Sequence, residues 1–192
     1  MIPEPKNMEI TETGIRDLKI VRPRIFEDTR GYFFESYNEG VFKDHGIHHQ
    51  FVQDNQSRSG YGVIRGLHYQ LEPKAQTKLV RVLEGSIWDV AVDLRKDSPT
   101  FLQWRGAELS SENYLQLMIP KGFAHGFSVL SKTAVVLYKC DELYAPGHEA
   151  GIRFDDPQIG IDWKIAEEDR VLSNRDLEMS SCKDAKMNFI FR

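Results

Sequence analysis

The stretch RGLHYQLEPKAQTKLV, residues 65 to 80, sets Arg65, His68, Gln76 and Lys78 into what reads as two strands joined by the loop EPKA. Side chains alternate along a strand, so Gln76 and Lys78, two apart, share a face. If the two strands are neighbours, that face can be the one to which His68 points. The same alternation sends Arg65 to the opposite face, and a bulge at Gly66 would bring it back beside His68. The chemistry open to such a group is proton transfer or metal binding.

The run IPKGFAHGFSVL places Pro120, Gly122 and His125 in a turn that leads into another strand. Two histidines on separate strands invite a metal, but zinc and iron sites usually take three or more protein ligands. Gln70 stands two residues after His68, so there is no His-x-His pair, and no carboxylate completes a triad at close spacing. No bound metal is expected. Tyr138 in TAVVLYKC is by default a packed amphipathic residue. In a pocket it is a proton donor, because an unperturbed phenol keeps its proton up to a pH of about 10. Asp176 in VLSNRD reads alone as a solvated loop acid; as a histidine's partner it would fix the tautomer and raise the ring's basicity.

The elements that must position these groups are mostly strands. Runs rich in Val, Ile, Tyr and Phe fall near 15–22, 31–37, 50–56, 61–69, 77–84, 86–95, 101–109, 114–119, 125–130 and 133–141. Turn chemistry separates them, which predicts a β-sandwich, jelly roll or barrel. In SIWDVAVDLR, Trp88, Val90, Val92 and Leu94 share one face, a core or subunit interface; Ile87, Asp89, Ala91 and Asp93 share the other, which reads as a wet pocket wall. NEGVFKDHG fits a short helix with Asn38 as N-cap and Gly46 at C′. A second helix is expected over 165–172, and the final FIFR could add a strand.

The 192 residues suit one domain, 1–192, with a substantial core. A net charge of −4 argues against a nucleic-acid-binding surface, although a local cation cluster can still hold a small anion. No stretch could span a bilayer, and MIPEPKNMEI has no apolar core of signal-peptide length. Cys140 and Cys182 lack CxxC spacing, which suits a reducing cytoplasm.

Six segments carry a resemblance: EDTRGYFFESYN, FVQDNQSRSGYGVIRGLHYQ, AQTKLVRVLEGSIWDVAVDLRKDSPTF, LMIPKGFAHGFSVL, VVLYKCDELYAP and GIRFDDPQIGIDW. Together, in order, they resemble the cupin-type 4-keto-6-deoxy-sugar nucleotide epimerases. The resemblance implies an all-β cupin jelly roll with a few short helices, a homodimer with exchanged N-terminal strands, and no metal or other cofactor. The implied substrate is a dTDP-linked 4-keto-6-deoxyhexose, inverted at C3 and C5 through an enolate. By the same resemblance His68 is the base and Asp176 its partner, with Asp89 a second candidate orienter. Lys78 stabilises the enolate oxygen and Tyr138 is the proton donor. Arg30, Glu35, Gln53, Asn55, Arg65, His125 and Glu149 fall at substrate-binding positions. Arg175 stands where the family often has Lys. The competing readings are a C3-only epimerase or ketoisomerase of the same fold, a metal-dependent cupin oxygenase, and a binding module without activity.

Overall fold

Alternation of apolar and polar residues generates two facing antiparallel sheets in the computed structural model. It describes residues 8–191; residues 1–7, which open the segment MIPEPKNMEI, and residue 192, the last of FIFR, lie outside the described residues. The chain runs through β1 (Met8–Glu12), β2 (Lys19–Pro23), a hairpin of β3 (Phe26–Asp28) and β4 (Gly31–Phe33), and helix α1 (Glu39–Asp44). There follow β5 (Gln53–Gly60), β6 (Ile64–Gln70), β7 (Lys78–Glu84), β8 (Ser86–Asp93), β9 (Trp104–Ser110), β10 (Gln116–Ile119), β11 (Phe123–Val129) and β12 (Thr133–Cys140). β13 (Glu149–Gly151) and the single helical turn α2 (Asn174–Leu177) complete it.

One sheet has six strands in the order β1-β2-β10-β7-β12-β5, the other five in the order β13-β6-β11-β8-β9. Between them lies a core to which both contribute: Val80, Leu117 and Val136 from the first, Ile87, Leu109 and Phe127 from the second. The five-stranded sheet is buried on its outer face as well, where Ile64, Leu67, Tyr69, Val90 and Val92 meet Ile152, Trp163 and Phe189 of the C-terminal segment. The six-stranded sheet is covered outside over part of its face, where Phe42 of α1, with Tyr37, Ile47 and Phe51 around it, packs against Val21, Leu79 and Met118. On β5 the outward Asp54, Gln56 and Arg58 are exposed.

Asn38 caps α1 through its side-chain oxygen, which accepts from the Gly40 and Val41 amides, and Gly46 follows with φ +74° as the C′ residue, both as expected. Other expectations need correction. No helix forms over 165–172, only a 3₁₀ turn at Glu167–Asp169. The segment is too short to hold a helix by propensity alone, and Val171 instead bridges to Val63. FIFR contributes one bridge, Ile190 to Lys96, rather than a strand. The run 31–37 is extended only over Gly31–Phe33, and the run 50–56 becomes a strand shifted to Gln53–Gly60. The polar face of β8 is interior rather than a wet wall: Ile87, Asp89, Ala91 and Asp93 are each 0% exposed. Its two carboxylates are tolerated because His125 and Arg95 meet them.

The bulge at Gly66 is present. From His68 to Arg65 β6 advances three residues while β11 advances two, His125 to Phe127. Ile64, Leu67 and Tyr69 therefore join the outer core, and Arg65 and His68 turn to the same, inner side. Gly66 has φ +137°, and a Cβ there would lie 2.5 Å from the Gly126 Cα, so no other residue fits without displacing β11.

Candidate active site

His68 comes from β6 of the five-stranded sheet. Its Nε2 is 2.6 Å from Asp176 Oδ1. Asp176 lies in α2, 6% exposed at the side chain, and its other oxygen, Oδ2, accepts the Ser173 hydroxyl at 2.6 Å. Burial pushes the Asp176 carboxyl up, but the hydrogen bonds from His68 and Ser173 outweigh it and hold the group below the usual carboxylate range.

Lys78 and Tyr138 come from the six-stranded sheet opposite. Lys78 opens β7 and pairs across to Cys140; Tyr138 pairs with Val80 of the same strand. The ammonium lies 5.9 Å from the centre of the Tyr138 ring. Among the described residues no carboxylate comes within ion-pair reach of Lys78 Nζ. Burial lowers the Lys78 pKa and raises that of Tyr138, which keeps the phenol protonated.

These three side chains line one cavity of about 360 Å³. Gln53, Asn55, Glu149 and Arg175 line it too, and so do Gln70, Gln76 and Tyr144. The Tyr144 hydroxyl donates to Glu149 Oε2 at 2.7 Å, and Arg175 pairs with the other oxygen of the same carboxylate. Burial pushes Glu149 up, but these two partners outweigh it and hold its pKa low. Gln53 donates to Asn55 at 3.0 Å and accepts from the Tyr144 amide at 2.9 Å. Grooves of about 520 and 600 Å³ lie elsewhere, but neither sets a histidine–carboxylate pair against a lysine and a phenol.

The other candidate residues lie around or away from this cavity. Arg65 reaches from β6 toward β5, donating to Ser59 at 3.1 Å. His125 is buried, directly across from His68 on β11, with Nε2 2.7 Å from Asp89 Oδ1. Asp89 thus orients His125, whereas Asp176 is the residue that meets His68. Burial lowers the His125 pKa although the Asp89 charge opposes it. Arg30 does not line the cavity of its own chain; it sits in the β3–β4 hairpin, 88% exposed, donating to Asp28. Glu35 does not line it either, and its Oε1 is buried with no partner among the described residues. Among the described residues no group of three His, Cys, Asp or Glu is set to hold a metal. Sequence reading passed over Tyr144 and Ser173, which lie in loops without a periodic pattern.

A two-sheet barrel with a carboxylate-paired histidine facing a lysine and a phenol defines a cupin-type jelly roll equipped for acid–base work on a small ligand. The family model described as dTDP-4-dehydrorhamnose 3,5-epimerase matches residues 12–184. The chain belongs to this family of isomerases. A dTDP-4-dehydrorhamnose 3,5-epimerase from Methanothermobacter thermautotrophicus is 51% identical over 166 residues, 86% of this chain and 89% of that protein. The crystal structure of a dTDP-6-deoxy-D-glucose-3,5-epimerase from Legionella pneumophila, in complex with dTDP-4-keto-L-rhamnose, is 47% identical with a TM-score of 0.92, covering 96% of this chain and 99% of that one. A 3'-monoepimerase from Streptomyces bikiniensis in complex with dTDP-quinovose is 30% identical with a TM-score of 0.81, covering 88% and 85%.

Proposed function

We propose that the chain, acting as one domain, inverts C3 and C5 of a dTDP-4-keto-6-deoxyhexose by proton transfer through an enolate. The observation that carries this reading is the cavity with His68 on one sheet and Lys78 and Tyr138 on the facing one. With Nε2–H donated to Asp176, His68 keeps a lone pair on Nδ1, the atom free to take a proton. It removes the hydrogen from a carbon beside the C4 ketone, and the electron pair moves onto the C4 oxygen. The unpaired Lys78 ammonium stabilises that oxyanion as a charge already in place when it forms. Tyr138 then delivers its proton to the opposite ring face, which inverts the centre. Both groups return to their starting forms by exchange with solvent. Arg65 and Arg175, with Gln53 and Asn55, suit the diphosphate and nucleoside, the guanidinium forks giving paired hydrogen bonds. His125 supports His68 from the neighbouring strand.

Turnover in D₂O tests the reading. Two solvent deuterons per product, at C3 and C5, are expected. One deuteron would make the protein a C3-only epimerase, and none would overturn the epimerase reading. The higher identity to the 3,5-epimerase structure than to the 3'-monoepimerase supports two.

We infer in addition a homodimer with exchanged N-terminal segments. In this chain β1 and β2 extend its own sheet through β10, while the hairpin bearing Arg30 leaves Phe26 at 43%, Tyr32 at 58% and Phe33 at 71% exposure. An exposed aromatic arm of this kind suits a protein contact, and a second copy's cavity is where Arg30 and Glu35 would meet substrate. Sedimentation equilibrium should give twice the 22.2 kDa chain mass. Tyr32→Asp with Phe33→Asp should shift the mass toward one chain and raise KM; a fully active single chain would contradict the inference. Among the described residues no helix is long and apolar enough to cross a membrane. The two buried free thiols, Cys140 and Cys182, support a cytoplasmic setting.

A further inference from the structure

We propose that Ser173 is a positioning residue for the base: its hydroxyl locks the Asp176 carboxylate so that one oxygen is permanently presented to His68. This rests on the reading of His68 as the base. The lock is a closed loop of two hydrogen bonds. The Asp176 amide donates to Ser173 Oγ at 3.1 Å, and the same hydroxyl donates to Asp176 Oδ2 at 2.6 Å. One O–H donor and one lone pair are thereby used in complementary directions. Asp176 Oδ1 is left for His68 Nε2 at 2.6 Å, with the Gly66 amide at 3.4 Å as a second donor.

Helix capping alone does not require this pattern. A cap needs only the acceptor; the donated bond to Asp176 is additional, and it leaves both oxygens of a buried carboxylate satisfied. The segment that delivers Ser173 is also tied to the strand that delivers His68. Ile64 N–H donates to Val171 O at 2.9 Å and Val171 N–H to Gly62 O at 3.0 Å. Gly62, at φ +79°, lets the chain pass so close that a Cβ there would lie 2.0 Å from Asp169 O. Ser173 is therefore held in register with β6, and rotation of the Asp176 side chain is the freedom left for the hydroxyl to remove.

Three substitutions in the full chain separate capping from positioning. Ser173→Ala removes both roles, Ser173→Asp keeps a capping acceptor but cannot donate to Asp176, and Ser173→Thr restores the hydroxyl. Each is read by steady-state kinetics, by thermal unfolding, and by proton NMR of the free enzyme. The His68 Nε2 proton is assigned by its loss in His68→Asn. Ala and Asp are both expected to lower kcat by roughly 10–100-fold, the range for partners that orient a reacting group, with KM little changed. In both, the Nε2 proton signal should move upfield or vanish by exchange, Asp should melt below the parent because its carboxylate meets that of Asp176, and Thr recovers most of kcat. Parent-like kcat in Ser173→Asp, or an unmoved Nε2 signal in either variant, overturns the proposal. Because the NMR arm needs no turnover, it decides the role of Ser173 even if His68→Asn stays active, a result that would instead remove the base assignment.

Discussion

Replacing His68 with Asn is expected to lower kcat by about 10²–10⁴-fold, the usual contribution of a general base, while the fold survives. The side chain is 30% exposed and makes no large apolar contribution, so its loss leaves the two cores intact. Asparagine can still donate one hydrogen bond toward Asp176 but has no lone pair basic enough to accept a carbon-bound proton. Deuterium exchange and inversion should therefore disappear together. Tyr138→Phe should separate them, because the base remains: exchange at the carbon persists while inversion falls. If His68→Asn retained exchange at the parent rate, the proton would be leaving by another route and the assignment would fail. The contrast between the two variants matters more than either alone, since it reads the two walls of the cavity independently.

Arg95→Ala is expected to destabilise the fold by about 3–5 kcal/mol, the range for removing one member of a buried ion pair. Arg95, 8% exposed, forks onto both oxygens of Asp93 at 2.9 Å each. It also donates to Asp17 at 2.8 Å and to the Arg16 carbonyl at 3.0 Å. Its guanidinium carbon lies 4.6 Å from the Phe123 ring centre and 4.9 Å from that of Phe191. One side chain thus joins the end of β8, the β1–β2 turn and the C-terminal tail. Urea unfolding monitored by tryptophan fluorescence gives the difference, and a loss under about 1 kcal/mol would contradict it. The pH dependence has a definite sign. Burial pushes Asp93 up, but Arg95, Ser98 and Thr100 together hold its folded pKa below the ordinary value. A lowered folded pKa gives stability that is complete above the unfolded value of about 3.9 and lost as the pH falls below it. Without Arg95 that stabilisation is weakened, so the gap between parent and variant should narrow as the pH falls through 4.

Much of this molecule was legible in its sequence, for reasons that differ from residue to residue. Strands β7, β8 and β12 were readable because each is a run of seven or eight residues rich in Val, Leu, Ile and Tyr, bounded by turn chemistry. β1, with five residues at a sheet edge, and β13, with three, are too short for any period to register. Arg65 shows how a local rule fails. Strict alternation places it opposite His68, and a single inserted residue reverses that, so the outcome depended on Gly66 and not on the pattern. Asp176 lies 108 residues from His68 and no periodicity connects them; family resemblance suggested the pairing and the fold brings the two together. Resemblance likewise selected Arg30 and Glu35, which one chain alone does not bring to its own cavity. Tyr144 and Ser173 went unread because a loop position gains meaning only from what crosses the gap to meet it.

The unequal covering of the two sheets has a consequence for how such a molecule can change over time. Strands β6, β11 and β8 are enclosed on both sides, so nearly every replacement there meets a neighbour. β5 and β12 face the cavity with Gln53, Asn55 and Tyr138, while on the other side Asp54, Gln56 and Arg58 of β5 are exposed and Val135, Leu137 and Lys139 of β12 are half-buried. Sequence drift is therefore cheap along alternate positions of that pair, and selection for a different sugar has room to act one residue away from the ligand. The wall that holds His68 is built to stay; the wall opposite is where ligand preference can wander.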